Sequence, residues 1–271
     1  AMVLESAAGL EVAVTTPHAT LKLPAALVDA LAAAGKNLNL TVTRGEAIAD
    51  PEGGSVLGAT TEITSDIVGE TQVSIPLEGI SLPTDPAARA EFLNRLAVFT
   101  HHSDGDIELI SGEIIYDDKG DPVSISFPVK KFSTFAIVRL SQRKVSLTIG
   151  SPVASLNSLP VAMDAPAYVE PKSNRTLVPL RFIGETLGAK VEWLSDKRQV
   201  KIKDGEREIL LTLDSPIILV NGQSIQIDCA PLEVLPGRIY LPLRFIGEAL
   251  GAEVTYDDAT KGINITREYK N

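Results

Sequence analysis

The chain has 271 residues, 44% of them hydrophobic and 22% charged, which fits a globular protein of about two domains and excludes wholesale disorder. The 35 acidic against 25 basic residues give a net charge of −10, a field that repels phosphate backbones and anionic lipid heads; nucleic-acid binding is not expected. No apolar run approaches the ~18 residues that span a bilayer, so membrane insertion is not expected either.

The first half alternates short β-type runs with turn signals. In residues 9–15 the apolar Leu10, Val12 and Val14 recur with the period of two of a half-buried strand. Pro24 to Gly35 predicts a helix, with Pro24 in its first turn, Leu27, Val28 and Leu31 on one face and Gly35 as its stop. Strands are expected at 38–43, 63–68 and 72–77, then a short helix around Ala87–Asn94 and a strand at 96–100. Residues 101–106 read as a polar turn. A hairpin is expected from Glu108–Tyr116, the Asp117-Asp-Lys-Gly120 turn and Val123–Phe127, and Phe132–Val138 closes the series. Short strands at this spacing predict an antiparallel β-sandwich.

Charge changes near residue 141. Residues 1–140 hold 19 acids and 9 bases, whereas 141–271 hold 16 of each. The expected domains are therefore an acidic β-sandwich-like domain over 3–140 and a second domain over 141–268. The second contains a duplication. Val178-Pro-Leu-Arg-Phe-Ile-Gly-Glu-Thr-Leu-Gly-Ala-Lys-Val-Glu-Trp193 returns 63 residues later as Leu241 to Tyr256, identical at 11 of 16 positions. Leu147–Pro152 answers Leu211–Pro216, and Asp164-Ala-Pro166 answers Asp228-Cys-Ala-Pro231, so the halves run over 143–204 and 205–268. Each copy predicts a short helix that starts at Pro179 or Pro242 and stops at Gly188 or Gly251. Phe182, Ile183 and Leu187, like Phe245, Ile246 and Leu250, form its apolar stripe. Arg181 and Glu185, and likewise Arg244 and Glu248, are spaced for an ion pair of ~0.3–0.5 kcal/mol. Strands are expected at 189–193 and 199–202. One copy buries too little alone; two packed together give a core.

The paired Pro-Leu-Arg-Phe-Ile-Gly-Glu segments, each followed by Leu-Gly-Ala and then Val-Glu-Trp or Val-Thr-Tyr, resemble the copper amine oxidase N-terminal-like domain. That resemblance spans 143–268. It implies an α+β fold of antiparallel strands on short helices and a non-catalytic, stalk-like role in secreted bacterial surface proteins. The first half resembles β-rich modules of bacterial surface-layer proteins through Leu96-Ala-Val-Phe99, Ile115–Gly120 and Lys131-Phe-Ser-Thr-Phe-Ala-Ile-Val138, with Lys131 where that family usually has His.

Catalytic chemistry finds little footing. A copper oxidase needs three histidine ligands and an Asn-Tyr motif; His18, His101 and His102 are the only histidines and Asn-Tyr is absent. The neighbours His101 and His102 would point to opposite faces of a strand end. Asp104, Asp106 and Glu108 lack the order of a calcium loop. Cys229, the only cysteine, reads as a small buried hydrophobe, and it rules out an intrachain disulfide. Ser141-Gln-Arg-Lys144 matches S-x-x-K without its companion motifs and is read as a chance match in a linker. Ala1-Met2 reads as a cloning remnant, and an export signal is expected to be absent from this sequence.

Two features are candidates for contact with sugars or wall polymers. Trp193 and Tyr256 occupy equivalent places in the copies; both suit strand-end core packing, and both suit stacking on sugar rings. Lys197, Arg198, Lys201 and Lys203 form a basic strand that suits the solvent face or an anionic polymer. The expectation is a non-catalytic, extracellular structural, spacer or assembly module of the bacterial cell envelope, without catalytic residues, metal or cofactor. Its expected partners are neighbouring envelope proteins, further copies of itself or cell-wall polysaccharide. The alternative is a carbohydrate-binding module of a secreted polysaccharide-processing protein.

Overall fold

The computed structural model describes residues 9–35, 39–67, 69–102, 104–235 and 237–269. Ala1-Met2, Leu38 and Val68 at the bounds of two expected strands, and Ser103 in the expected polar turn lie outside the described residues. The chain divides into unit 1, Ala1–Pro83 with Leu96–Arg139, and unit 2, Thr84–Arg95 with Leu140–Asn271.

Unit 1 contains β1 (Val12–Thr15), β2 (Thr20–Leu23), α1 (Ala25–Ala33), β3 (Leu40–Arg44), β4 (Gly54–Ser65), β5 (Thr71–Pro76), β6 (Leu96–His101), β7 (Ile107–Ile110), β8 (Glu113–Tyr116), β9 (Pro122–Val129) and β10 (Thr134–Leu140). They form two antiparallel sheets, β1-β2-β5-β9-β8 and β3-β4-β10-β6-β7. The α1 helix follows Pro24, buries Val28 and Leu31 against Val12, Leu23 and Ile67, and is followed by Gly35 at φ 61°. Strand β2 lies in a stretch read as having no element, and β4 begins well before the expected Ile63.

The expected strand Glu108–Tyr116 is two strands in two sheets: β7 pairs with β6, and β8 with β9. Gly112 lies at the break, where a Cβ would run into the Ile125 side chain and the Ser126 carbonyl. Only a residue without a side chain lets the backbone pass there and change sheets.

Unit 2 opens with α2 (Pro86–Asn94), capped by Asp85, whose carboxylate accepts the Ala88 N–H at 2.8 Å. The first repeat then supplies β11 (Gln142–Thr148), β12 (Val153–Leu156), β13 (Leu159–Ala162), β14 (Tyr168–Glu170), β15 (Arg175–Pro179), α3 (Leu180–Thr186), β16 (Lys190–Leu194) and β17 (Gln199–Asp204). The second supplies β18 (Arg207–Thr212), β19 (Ile217–Val220), β20 (Gln223–Gln226), β21 (Leu232–Leu235), β22 (Arg238–Pro242), α4 (Leu243–Ala249), β23 (Glu253–Asp257) and β24 (Gly262–Glu268).

The repeats interleave. Each of the three sheets of unit 2 takes strands from both: β13-β12-β11-β24-β23, β14-β15-β22-β21 and β16-β17-β18-β19-β20. In the middle sheet Leu177 faces Pro242, Val178 faces Leu241 and Pro179 faces Tyr240. Under the 63-residue offset this register maps onto itself, so a local two-fold passes through the Val178–Leu241 pair. A repeat alone would leave β11 and β17 as bare edges, and exchange of strands covers both. The helices start and stop as the sequence predicts, with Pro179 and Pro242 as N-caps and Gly188 and Gly251 at φ 92° and 71° just past their ends.

The expected fold class, a β-sandwich-like domain followed by an α+β domain, is corrected. The protein is mostly β throughout, 50% strand and 14% helix, and its described residues form five small antiparallel sheets of four or five strands. Among the described residues α1 and α2 have nine residues each, and α3 and α4 seven. A helix of two turns covers only part of a sheet and does not make a layer of its own. Alternation along the chain marks strands correctly but does not assign them to sheets, because pairings such as β2 with β5 and β11 with β24 join distant segments.

Candidate functional site

Unit 2 has a cleft of about 180 Å³ where α3 and the β16–β17 hairpin meet the β21–β22 hairpin of the other repeat. Its floor is apolar, from Leu180, Val191, Val200 and Ile239, and Trp193 forms one wall. The rim carries Asp164, Arg181, Glu233 and Arg238. Local sequence explains these placements. Trp193 pairs with Val200, which pairs with Leu211, so the indole shares the core-facing side of its sheet. It lies on the edge strand, however, and remains 39% exposed.

One ion pair on the rim has a counterpart elsewhere across the local two-fold. Arg238 Nε lies 2.6 Å from Asp164 Oδ2, and its repeat counterpart Arg175 lies 2.5 Å from Asp228 Oδ2. Each joins the repeats across the local two-fold. Arg181 reaches Glu185 at 3.8 Å, the helix pair expected from the spacing. Burial is the main reason the Glu185 carboxyl is held above its ordinary value of 4.5; nearby Asp164 adds to the shift and Arg181 opposes it. The sign follows. A folded state that holds this proton more tightly incurs no penalty below the ordinary value and the full penalty once pH exceeds the raised value. Glu185→Gln is therefore expected to raise neutral-pH stability slightly, by less than about 0.5 kcal/mol at this half-exposed site, and to flatten the pH dependence. Thermal melts on either side of the ordinary value check this.

The six candidate contacts do not form one patch. Trp193 and Tyr256 lie in different sheets, and Tyr256, on β23, is 47% exposed. Lys201 and Lys203 alternate with the buried Val200 and Ile202, so they project from the face opposite Trp193. Lys201 is paired with Glu208 at 2.7 Å. Lys197 belongs to a 3-10 turn, Ser195–Lys197, and Arg198 follows at φ 50° with its guanidinium 2.9 Å from Asp214. The basic strand is thus partly committed to local ion pairs.

Just after β6, which ends at His101, the Asp106 carbonyl accepts the His102 N–H at 2.8 Å. Lys131 Nζ bridges the Asp104 and Asp106 carboxylates at 2.9 and 3.2 Å. Its hydrogen bond lowers the Asp104 carboxyl, and the two carboxylates raise the Lys131 ammonium. Lys131 thus offsets one of the two carboxylate charges of this turn. Among the described residues no group of three or more His, Cys, Asp or Glu side chains is placed to hold a metal ion. Ser141 immediately precedes β11 and Lys144 lies within it. Cys229 is half-buried beside the Ala165–Leu177–Tyr240 cluster.

Sequence reasoning missed the arginines that tie the first strand of each repeat to the helix of the same repeat. Arg143, 2% exposed, donates to the Thr186 carbonyl at 3.2 Å, and Arg207 donates to Ala249 at 2.5 Å; these are matching bonds at the C-terminal ends of α3 and α4. Both arginines occupy equivalent positions, a signal that aligning the strands as well as the helices would have exposed.

No curated protein matches the chain. Residues 156–265 match the family model of the copper amine oxidase N-terminal domain. That domain is not the catalytic part of those oxidases, and the match runs from the end of β12 into β24, leaving β11 outside it.

Proposed function

We propose that this chain is a non-catalytic structural module of the extracellular bacterial cell envelope, associated with a surface layer, that spaces and assembles its protein at the cell surface. The family match over 156–265 supports the stalk-like half of this reading. The resemblance of Leu96–Phe99 and Lys131–Val138 to surface-layer modules supports the envelope setting.

One observation carries the assembly role. Strand β20 is the outer strand of its sheet, and its four residues, Gln-Ser-Ile-Gln, are all exposed and uncharged. The equivalent edge in the other repeat, β13, carries Pro160 where β20 has Ser224. Proline removes a backbone donor and blunts an edge; β20 has no such guard and offers a template for strand pairing. Light scattering across a concentration series is expected to show self-association, and Ser224→Pro is expected to abolish it with an unchanged melting temperature. Strictly monomeric behaviour at every concentration would refute assembly through this edge. Protease treatment of intact cells tests the location: an inaccessible protein is not a surface module.

A further inference from the structure

We propose that the Trp193 cleft is a subsite for one neutral pyranose ring of a glycan. This goes beyond the assembly reading and does not depend on it, since β20 and the cleft can be altered separately.

Size comes first. A cavity of about 150 Å³ holds benzene, so a cleft of about 180 Å³ takes one six-membered ring and not two. Chemistry selects the kind of ring. Trp193 offers a flat apolar face against which the axial C–H groups of a sugar stack, and Leu180 and Val191 continue that surface. The rim supplies two carboxylates, Asp164 and Glu233, and two guanidiniums, Arg181 and Arg238. Hydroxyl groups both donate and accept, so they suit a fringe with both kinds of partner. The fringe is neutral in sum, so an anionic or cationic ligand gains no net attraction from it.

One rim donor is available, Arg181, since Arg238 is held by Asp164 at 2.6 Å. The Arg181 side chain is 64% exposed, and its ion-pair contact, with Glu185, is as long as 3.8 Å. An anionic polymer is disfavoured because Lys201 and Lys203 project from the other face of the sheet. An extended peptide would have to pair along β16, whose exposed Lys190 and Glu192 guard that edge.

Trp193 is the only tryptophan, so its emission reports on the cleft directly. The intact chain is titrated with glucose, N-acetylglucosamine, their β-1,4 disaccharides and, for contrast, glucuronic acid. The expected result is a saturable change in emission with at least one neutral sugar, at a Kd on the order of 1 mM for a single ring. Arg181→Ala, at an exposed position that leaves the fold and the reporter in place, is expected to weaken that Kd about tenfold. By calorimetry Trp193→Phe retains weak binding and Trp193→Ala loses it, whereas Tyr256→Ala leaves it unchanged. The proposal is overturned if no neutral sugar gives a saturable change at tens of millimolar. It is also overturned if only glucuronic acid responds, if an extended peptide displaces the sugar by pairing along β16, or if Arg181→Ala has no effect.

Discussion

Arg267→Ala is expected to lower the unfolding free energy of unit 2 by about 3–5 kcal/mol, the cost of leaving a buried charge without its partner. Arg267 and Asp204 are the same position in the two repeats, 63 residues apart, and the local two-fold brings them together. Arg267 Nη2 donates to both Asp204 carboxylate oxygens at 2.9 and 2.8 Å, with side chains only 14% and 7% exposed. Its Nη1 donates to the Leu187 carbonyl at 2.9 Å, at the C-terminal end of α3, where a cation is also favoured by the helix dipole. The Arg95 and Arg267 guanidiniums lie 5.3 and 5.0 Å from the centre of the Tyr269 ring, whose hydroxyl accepts from Arg143 Nε at 3.1 Å. Arg95, at the end of α2, is thereby tied to the repeats through the same ring. Asp204→Ala leaves three arginines gathered around one tyrosine and is expected to cost a similar amount. The Asp204→Ala/Arg267→Ala double variant should lose less than the two single losses combined, with a coupling of up to about 3 kcal/mol. Urea unfolding measures all three. Single losses below about 1 kcal/mol would mean that the pair behaves as a solvated surface bridge.

That pair marks the limit of what was legible in the sequence. Local signals were read well: Pro24 and Gly35 bounded a helix, and Pro179 and Gly188 bounded another. The duplication itself was plain. Its interleaving was not, because a repeat predicts the same strands whether they pair within a copy or between copies. Asp204 opposite Arg267 looks like drift between equivalent positions until the two-fold superposes them. Asn157 and Asn221 carried a readable signal that was not used. Each opens a two-residue hairpin turn with positive φ, 46° and 50°, and each side-chain oxygen accepts a strand N–H at 2.8 Å, from Lys144 and Glu208. At the cleft, the aromatic pair was found but its setting was not. Trp193 and the lysines of β17 fall on opposite faces once Trp193 is registered with Val200, and that register is not a property of either segment alone.

The glycine inside each repeat helix explains why the cleft has its shape. Gly184 and Gly247 lie within helices, where glycine costs about 1 kcal/mol relative to alanine. Both are retained because each helix touches a strand at that residue. A Cβ on Gly184 would lie 2.7 Å from Val191 Cγ2, and one on Gly247 would run into Val254, the equivalent residue. Gly184→Ala is therefore expected to destabilise by about 1–2 kcal/mol, since overpacking of 1–3 kcal/mol outweighs the gain in helix propensity. Gly184→Val, bulkier and β-branched, should cost about 3 kcal/mol. Val191→Ala should relieve part of either loss. Because Leu180, Arg181 and Val191 all line the cleft, pushing α3 off β16 also opens it to water. Trp193 emission in Gly184→Ala should shift to the red without any ligand, whereas Gly247→Ala, at the other helix, should lose similar stability without that shift. A Gly184→Ala variant more stable than the parent would show that α3 can move away from β16 freely, and the cleft would then not be the fixed single-ring site its volume describes.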